Sequence, residues 1–146
     1  MWSPTPYGAG PVERGAAPMP AHLRPVAVTL DCADPLALAA FYRRVTGFAP
    51  HPESGAGFAA LTGPDGFVLG FQAVEDYRPP RWPGQEVPQQ VHLCYEVDED
   101  LAAAETRLLA LGAVLPAHQP HDPARARVLT DPAGHPFCVV RKKAEG

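Results

Sequence analysis

Two short runs of the chain concentrate side chains that can move protons or hold a ligand. In VTLDCAD (residues 28–34), Thr29 and Asp31 alternate with Val28, Leu30 and Cys32. In VHLCYEVD (residues 91–98), His92, Cys94 and Glu96 alternate with Leu93, Tyr95 and Val97. Alternation at period two sends the polar set to one strand face and the apolar set to the other. An imidazole titrates near neutrality and can take or give a proton. A pair of carboxylates can share that work when burial raises one pKa. His92, Asp31 and Glu96 are therefore the candidate catalytic set. The same residues also fit plainer roles: a hydrogen-bonded pocket histidine, and carboxylates that cap strand ends or pair with arginine. Thr29 and Cys94 share the polar face as candidate ligand lining.

Other candidates lie outside these runs. Trp82 and Tyr77 sit in DYRPPRWPGQEVPQQ (residues 76–90), where an aromatic ring can stack on a flat ligand or staple the segment to the body. Parity alone puts Phe58 and Gln72 on the ligand-facing side of their strands. Arg125 and Arg127 alternate with Ala126 and Val128. Facing inward they would select an anion, and facing outward they form a solvated strand face. His118, His121 and Asp122, in PAHQPHDPARAR (residues 116–127), have a spacing that could hold a metal in a loop. Cys94 and Cys138 are nucleophiles only beside a base or a helix N-terminus, and otherwise small buried hydrophobes.

The elements that must position these groups repeat. VAVTLDCADPLALAAFYRRVTG (residues 26–47) and VHLCYEVDEDLAAAETRLLALG (residues 91–112) each give an alternating strand, acidic residues and an apolar-striped helix ending at glycine. Asp34 caps the first helix, Pro35 suits its first position, and Gly47 suits its left-handed end. Leu38, Phe41, Tyr42 and Val45 form one buried stripe. In the second helix Asp98 and Asp100 compete for the cap, Leu101, Ala104, Leu108 and Leu111 form the stripe, and Gly112 ends it. Gly63-Pro64-Asp65-Gly66 and Asp131-Pro132-Ala133-Gly134 are matching turns with proline second and glycine fourth. Each half therefore reads β-α-β-β, with a short extra strand after the helix. Neither half is large enough for a strong core alone, so the two are expected to pair, either within the chain or by exchange with a second chain.

Length and composition bound the rest. The chain has 146 residues, 46% of them apolar, which excludes a wholly disordered protein. Its net charge of −4 gives no support to a general nucleic-acid binder. Residues 1–24 are a proline-rich arm with little periodicity. Its opening lacks the basic and apolar regions of a secretory signal. No apolar run approaches a membrane span. Three cysteines without a C-x-x-C pair point to a reducing compartment, hence the cytoplasm. The organisation expected is the arm at 1–24 and a single domain at 25–146. Within that domain, one module covers 25–75, a stiff linker 76–90 and a second module 91–142.

The duplicated pattern, carried by LDCADPLALAAFYRRVTGF and by VHLCYEVDEDLAAAETRLLALGA followed by DPAGHPFCVV, resembles the vicinal oxygen chelate superfamily over residues 25–141. More narrowly it resembles the glyoxalase/bleomycin resistance branch. The resemblance implies an α+β fold of two βαβββ modules forming a cupped mixed sheet with helices outside, and a homodimer. It also implies four positions for metal ligands, which here are Ala27, Gly70, His92 and Cys138. Only His92 and Cys138 carry donors, one short of the usual three protein ligands of a catalytic zinc. The expectation is thus a metal-independent protein that binds a small organic molecule, with no nucleic-acid or membrane partner. The ligand would touch Thr29, Phe58, Gln72, Tyr77, Trp82, His92, Cys94, Arg127 and Cys138. One alternative is a metal-independent isomerase, lyase or cyclase using His92 or a cavity carboxylate. The other is a lyase or dioxygenase holding iron, zinc, manganese or nickel through His92 and Cys138.

Overall fold

A computed structural model describes residues 22–143 of the chain. All but the last three residues of the proline-rich arm lie outside the described residues. Strand β1 (Ala27–Cys32) leads into helix α1 (Pro35–Thr46). The Asp34 carboxylate accepts from the Ala37 amide at 3.2 Å, and Gly47 closes the helix with φ 73°. Short β2 (Ala49–Pro50), then β3 (Phe58–Thr62) and β4 (Val68–Ala73), complete the first half. The second half contains β5 (Leu93–Val97), α2 (Leu101–Leu111), β6 (Ala126–Thr130) and β7 (Pro136–Arg141). Asp100, not Asp98, takes the cap position of α2, but its side chain makes no capping bond. The short strand expected after each helix is β2 in the first half and a single bridge, Val114 to Thr130, in the second.

The fold is α+β, as expected. Its strands form two mixed sheets, ordered β1-β4-β3-β2 and β5-β7-β6, among the described residues. In each sheet the strand before the helix runs parallel to the last strand. The turns form where proline and glycine place them. Gly66 donates to Gly63 O at 3.0 Å, Gly134 donates to Asp131 O at 2.8 Å, and both glycines have φ near +90°.

One core serves both halves. Leu30, Cys32, Leu38, Phe41 and Tyr42 pack in the same cluster as Leu101, Leu108, Leu129, Phe137 and Val139. At its centre the Tyr42 ring stacks on Phe71 at 5.6 Å and meets Phe137 edge-on at 6.2 Å. The Tyr42 hydroxyl donates to Asp131 Oδ2 at 2.6 Å, joining α1 to the second hairpin. The other oxygen of Asp131 accepts from the Ala133 and His135 amides, at 2.9 and 3.0 Å. This carboxylate is only 2% exposed, and burial outweighs its hydrogen bonds, holding it above the usual 3.8.

The Tyr42–Asp131 contact generates a stability test. Tyr42→Phe leaves a buried carboxylate oxygen without its donor and is expected to cost roughly 1.5–3 kcal/mol in urea unfolding. Asp131→Asn keeps the two amide bonds and can donate to the Tyr42 oxygen, so it is expected to be near neutral. A raised folded pKa means that the native state holds the proton more tightly. The stability Asp131 contributes is then full below its unfolded pKa and declines as pH rises through its folded one. Asp131→Asn should flatten that slope. Wild-type stability in Tyr42→Phe would show that the contact contributes nothing.

Candidate functional site

Proline spacing makes residues 76–90 stiff, and three contacts fix their course. The Tyr77 hydroxyl donates to Ala133 O at 2.6 Å and lies 3.2 Å from His135 Nε2. His135 Nε2 in turn donates to Asp31 O at 2.6 Å, so the end of β1 is clipped to the second hairpin. Pro79 lies over Gly134, where a Cβ would come within 2.8 Å of its ring. The segment then carries Trp82 onto the face of the second sheet remote from the core, where it packs on Ala126, Val128 and Cys138.

Beneath Trp82 is a cavity of about 210 Å³. Its floor is Val128, Phe137 and Cys138, and His92 enters from just before β5. Trp82, Pro83 and Gln89 come from the linker. His118, Pro120 and His121 come from the loop between α2 and β6. Gln119 holds that loop in place by mimicking a strand. Its Oε1 accepts from Val128 N at 3.0 Å, and its Nε2 donates to Val128 O at 2.8 Å. His118 consequently lies 5.2 Å from the Trp82 ring.

Among the described residues that line the cavity there is no aspartate, glutamate, lysine or arginine. Burial, and then the nearby His121, hold His92 below the ordinary histidine value of 6.5, so it is neutral at pH 7. Gln89 Oε1 is buried against the cavity and meets no hydrogen-bond partner among the described residues. An orphaned acceptor costs about 1–3 kcal/mol when nothing donates to it.

His92, Trp82 and Cys138 come together here, with Cys94 beside Cys138 on the neighbouring strand. A hydrogen bond from the Cys138 thiol draws the Cys94 pKa down, while the same contact and burial push Cys138 up. The remaining candidates lie elsewhere. Asp31 and Glu96 are exposed on β1 and β5. Thr29 neighbours Gly70 on the first sheet, and Gln72 Nε2 donates to Gly57 O and Ala73 O. Phe58 covers Gly70, and Tyr77 holds the linker down. Arg127 pairs with Glu105 of α2, on the side of β6 opposite Val128. Gln89, Gln119 and Pro120 were not foreseen. The one available signal was their place beside histidines in QQVH and AHQPH.

The four positions for metal ligands do not assemble a donor set. A side chain at Gly70 would collide with the Phe58 ring, which approaches to 2.9 Å of where a Cβ would stand. Ala27 has no donor atom. Among the described residues no three His, Cys, Asp or Glu side chains converge where they could hold a metal ion, and the His118, His121 and Asp122 loop is no exception. The residues present therefore do not fit the family's usual metal.

Two strand–helix–hairpin modules sharing one core, with a cavity on a sheet face, define a duplicated α+β class. The family model for a glyoxalase-like domain matches residues 27–140, and the chain belongs to that family. Solved structures agree on the fold. A glyoxalase/bleomycin resistance protein/dioxygenase family enzyme from Burkholderia phytofirmans is 22% identical, with a TM-score of 0.61 over 80% of this chain and 96% of that one. Lactoylglutathione lyase from Agrobacterium tumefaciens is also 22% identical, with a TM-score of 0.55 over 83% and 95%. A mutant fosfomycin resistance protein, FosX, from Listeria monocytogenes, complexed with Mn(II) and 1S,2S-dihydroxypropylphosphonic acid, is 15% identical, with a TM-score of 0.61 over 86% and 94%. No curated protein matches the chain. Among the described residues no helix is long and apolar enough to cross a membrane.

The depressed His92 pKa can be read directly. In an NMR titration its ring signals are expected to move with a midpoint below 6.5, and His121→Ala should shift that midpoint upward. A His92 midpoint at or above 6.5 would show that burial does not govern this imidazole.

Proposed function

We propose that this glyoxalase-like protein is a metal-independent binder of a small, flat, uncharged organic molecule in the cavity beneath Trp82. The observation that carries this reading is the pairing of an aromatic roof with an orphaned acceptor, Gln89 Oε1, in a cavity without fixed charge. A ring would stack on Trp82, and an N–H or O–H on it would satisfy Gln89. An anion or a cation would lose its hydration there with no opposite charge in compensation. At about 210 Å³ the space is below the roughly 300–1,000 Å³ of drug-sized pockets, so the ligand is small.

Acid–base turnover is the second reading, supported by the place of His92 in the cavity and by the burial that keeps its imidazole neutral. A neutral imidazole can accept a proton from carbon beside a carbonyl. Asp31 and Glu96 are exposed and do not line the cavity, which leaves His92 as the candidate base. In line with the family resemblance we take the protein to be a homodimer. Its three free thiols suit the cytoplasm.

Calorimetry with benzimidazole, 1-methylbenzimidazole and benzoate tests the binding reading. Benzimidazole is expected to bind best, because it alone combines a neutral ring with an N–H donor. Trp82→Ala should weaken it at least about tenfold, the value of roughly 1.4 kcal/mol of lost contact. Gln89→Leu should abolish its advantage over the methylated compound. Equal affinity for all three in the wild type would sink the proposal. For any ligand that co-purifies, conversion that stops in His92→Ala while binding persists would establish the enzyme reading instead.

A further inference from the structure

The second sheet places two thiols side by side on the face that carries the cavity. Cys94 on β5 and Cys138 on β7 are direct neighbours in the parallel register, so their side chains leave the sheet on the same side. Adjacent strands lie about 4.8 Å apart, within the roughly 4.4–6.8 Å between Cα atoms that a disulfide spans. The two thiols are close enough to perturb each other's ionisation. Their environments differ. Cys94 is exposed, whereas Cys138 is buried in the cavity floor. Among the described residues β5 is an edge strand with one hydrogen-bonded neighbour, so fewer ladder bonds resist its adjustment than at a central strand. The third cysteine cannot compete, because Cys32 faces the core of the first half and donates to Gln72 O.

We propose that Cys94 and Cys138 form an oxidant-sensitive pair, in which Cys94 attacks a hydroperoxide and Cys138 resolves the product to a disulfide across β5 and β7. With hydrogen peroxide, the Cys94 thiolate attacks one oxygen and the O–O bond breaks. Cys94 becomes a sulfenic acid, and hydroxide leaves and is protonated to water. The Cys138 sulfur then attacks the Cys94 sulfur, the S–O bond breaks and a second water departs. The two thiols lose two electrons and two hydrogens, and the peroxide gains both. Accessibility followed by a resolving neighbour is the arrangement that spares a cysteine from irreversible over-oxidation. Because Cys138 is part of the cavity floor, the crosslink alters a wall that the ligand would touch. The chemistry itself does not depend on that ligand.

The test uses the full-length reduced chain, hydrogen peroxide and alkylation before intact-mass and peptide analysis. The wild type is expected to become lighter by two hydrogens, to lose two alkylatable thiols, and to yield a peptide linking Cys94 to Cys138. Dithiothreitol should reverse all three changes. Cys32→Ser should behave as the wild type. Cys138→Ser should stop at a Cys94 sulfenic acid that dimedone traps, and Cys94→Ser should resist peroxide. The wild-type peptide map decides the matter even if a variant fails to fold. Sulfinic acid at Cys94 with Cys138 still alkylatable, a crosslink between two chains through Cys94, or no oxidation at all would each overturn the proposal.

Discussion

Everything on the far side of the molecule hangs from a carboxylate that the core cannot leave unsatisfied. Asp131 is buried between the two halves, and its two oxygens face in different directions. One takes the Tyr42 hydroxyl from the first helix, and the other takes the amides that form the second hairpin. That hairpin is in turn the platform on which Tyr77 and Pro79 seat the linker. The linker delivers Trp82 and Gln89 to the cavity. A buried polar group of this kind constrains more than it stabilises, because few arrangements satisfy all its bonds at once.

The cavity follows the opposite rule. It gathers three imidazoles, an amide and a thiol, yet no fixed charge among its described lining residues. Each of these groups is a dipole that can be buried at modest cost if a partner arrives. Arg127, one of the two arginines whose face parity left open, pairs with Glu105 on the helix side. With no aspartate, glutamate, lysine or arginine among its described lining, the cavity is suited to select by shape and hydrogen bonding.

Most of the fold was legible because its signals are local. Asp34, Pro35 and Gly47 mark one helix within a few residues of its ends, and period-two alternation orients β1 and β5 correctly. The duplication was legible because the same signals recur together. What escaped depends on long-range contacts. The Tyr42–Asp131 bond joins residues 89 positions apart, and Tyr42 looked like any other stripe residue. Gln119 acts through the backbone of Val128, a strand that no periodicity connects to it. At the candidate site, Trp82 was offered by residue type, His92 by parity and Cys138 through the family resemblance, whereas Gln89 stands out only through its burial. Parity could place Arg127 on a strand but not choose its face.

The repeat is symmetrical in its strands but not in what fills them. Thr29 and Gly70 occupy in the first sheet the neighbouring places that Cys94 and Cys138 occupy in the second. Over Gly70 the ring of Phe58 takes up the room that an added side chain would need. Over Cys138 the described cavity opens instead. A duplicated scaffold is therefore asymmetric in how it fills its sheets: one half covers its glycine with an aromatic ring, and the other leaves an open cavity over its cysteine.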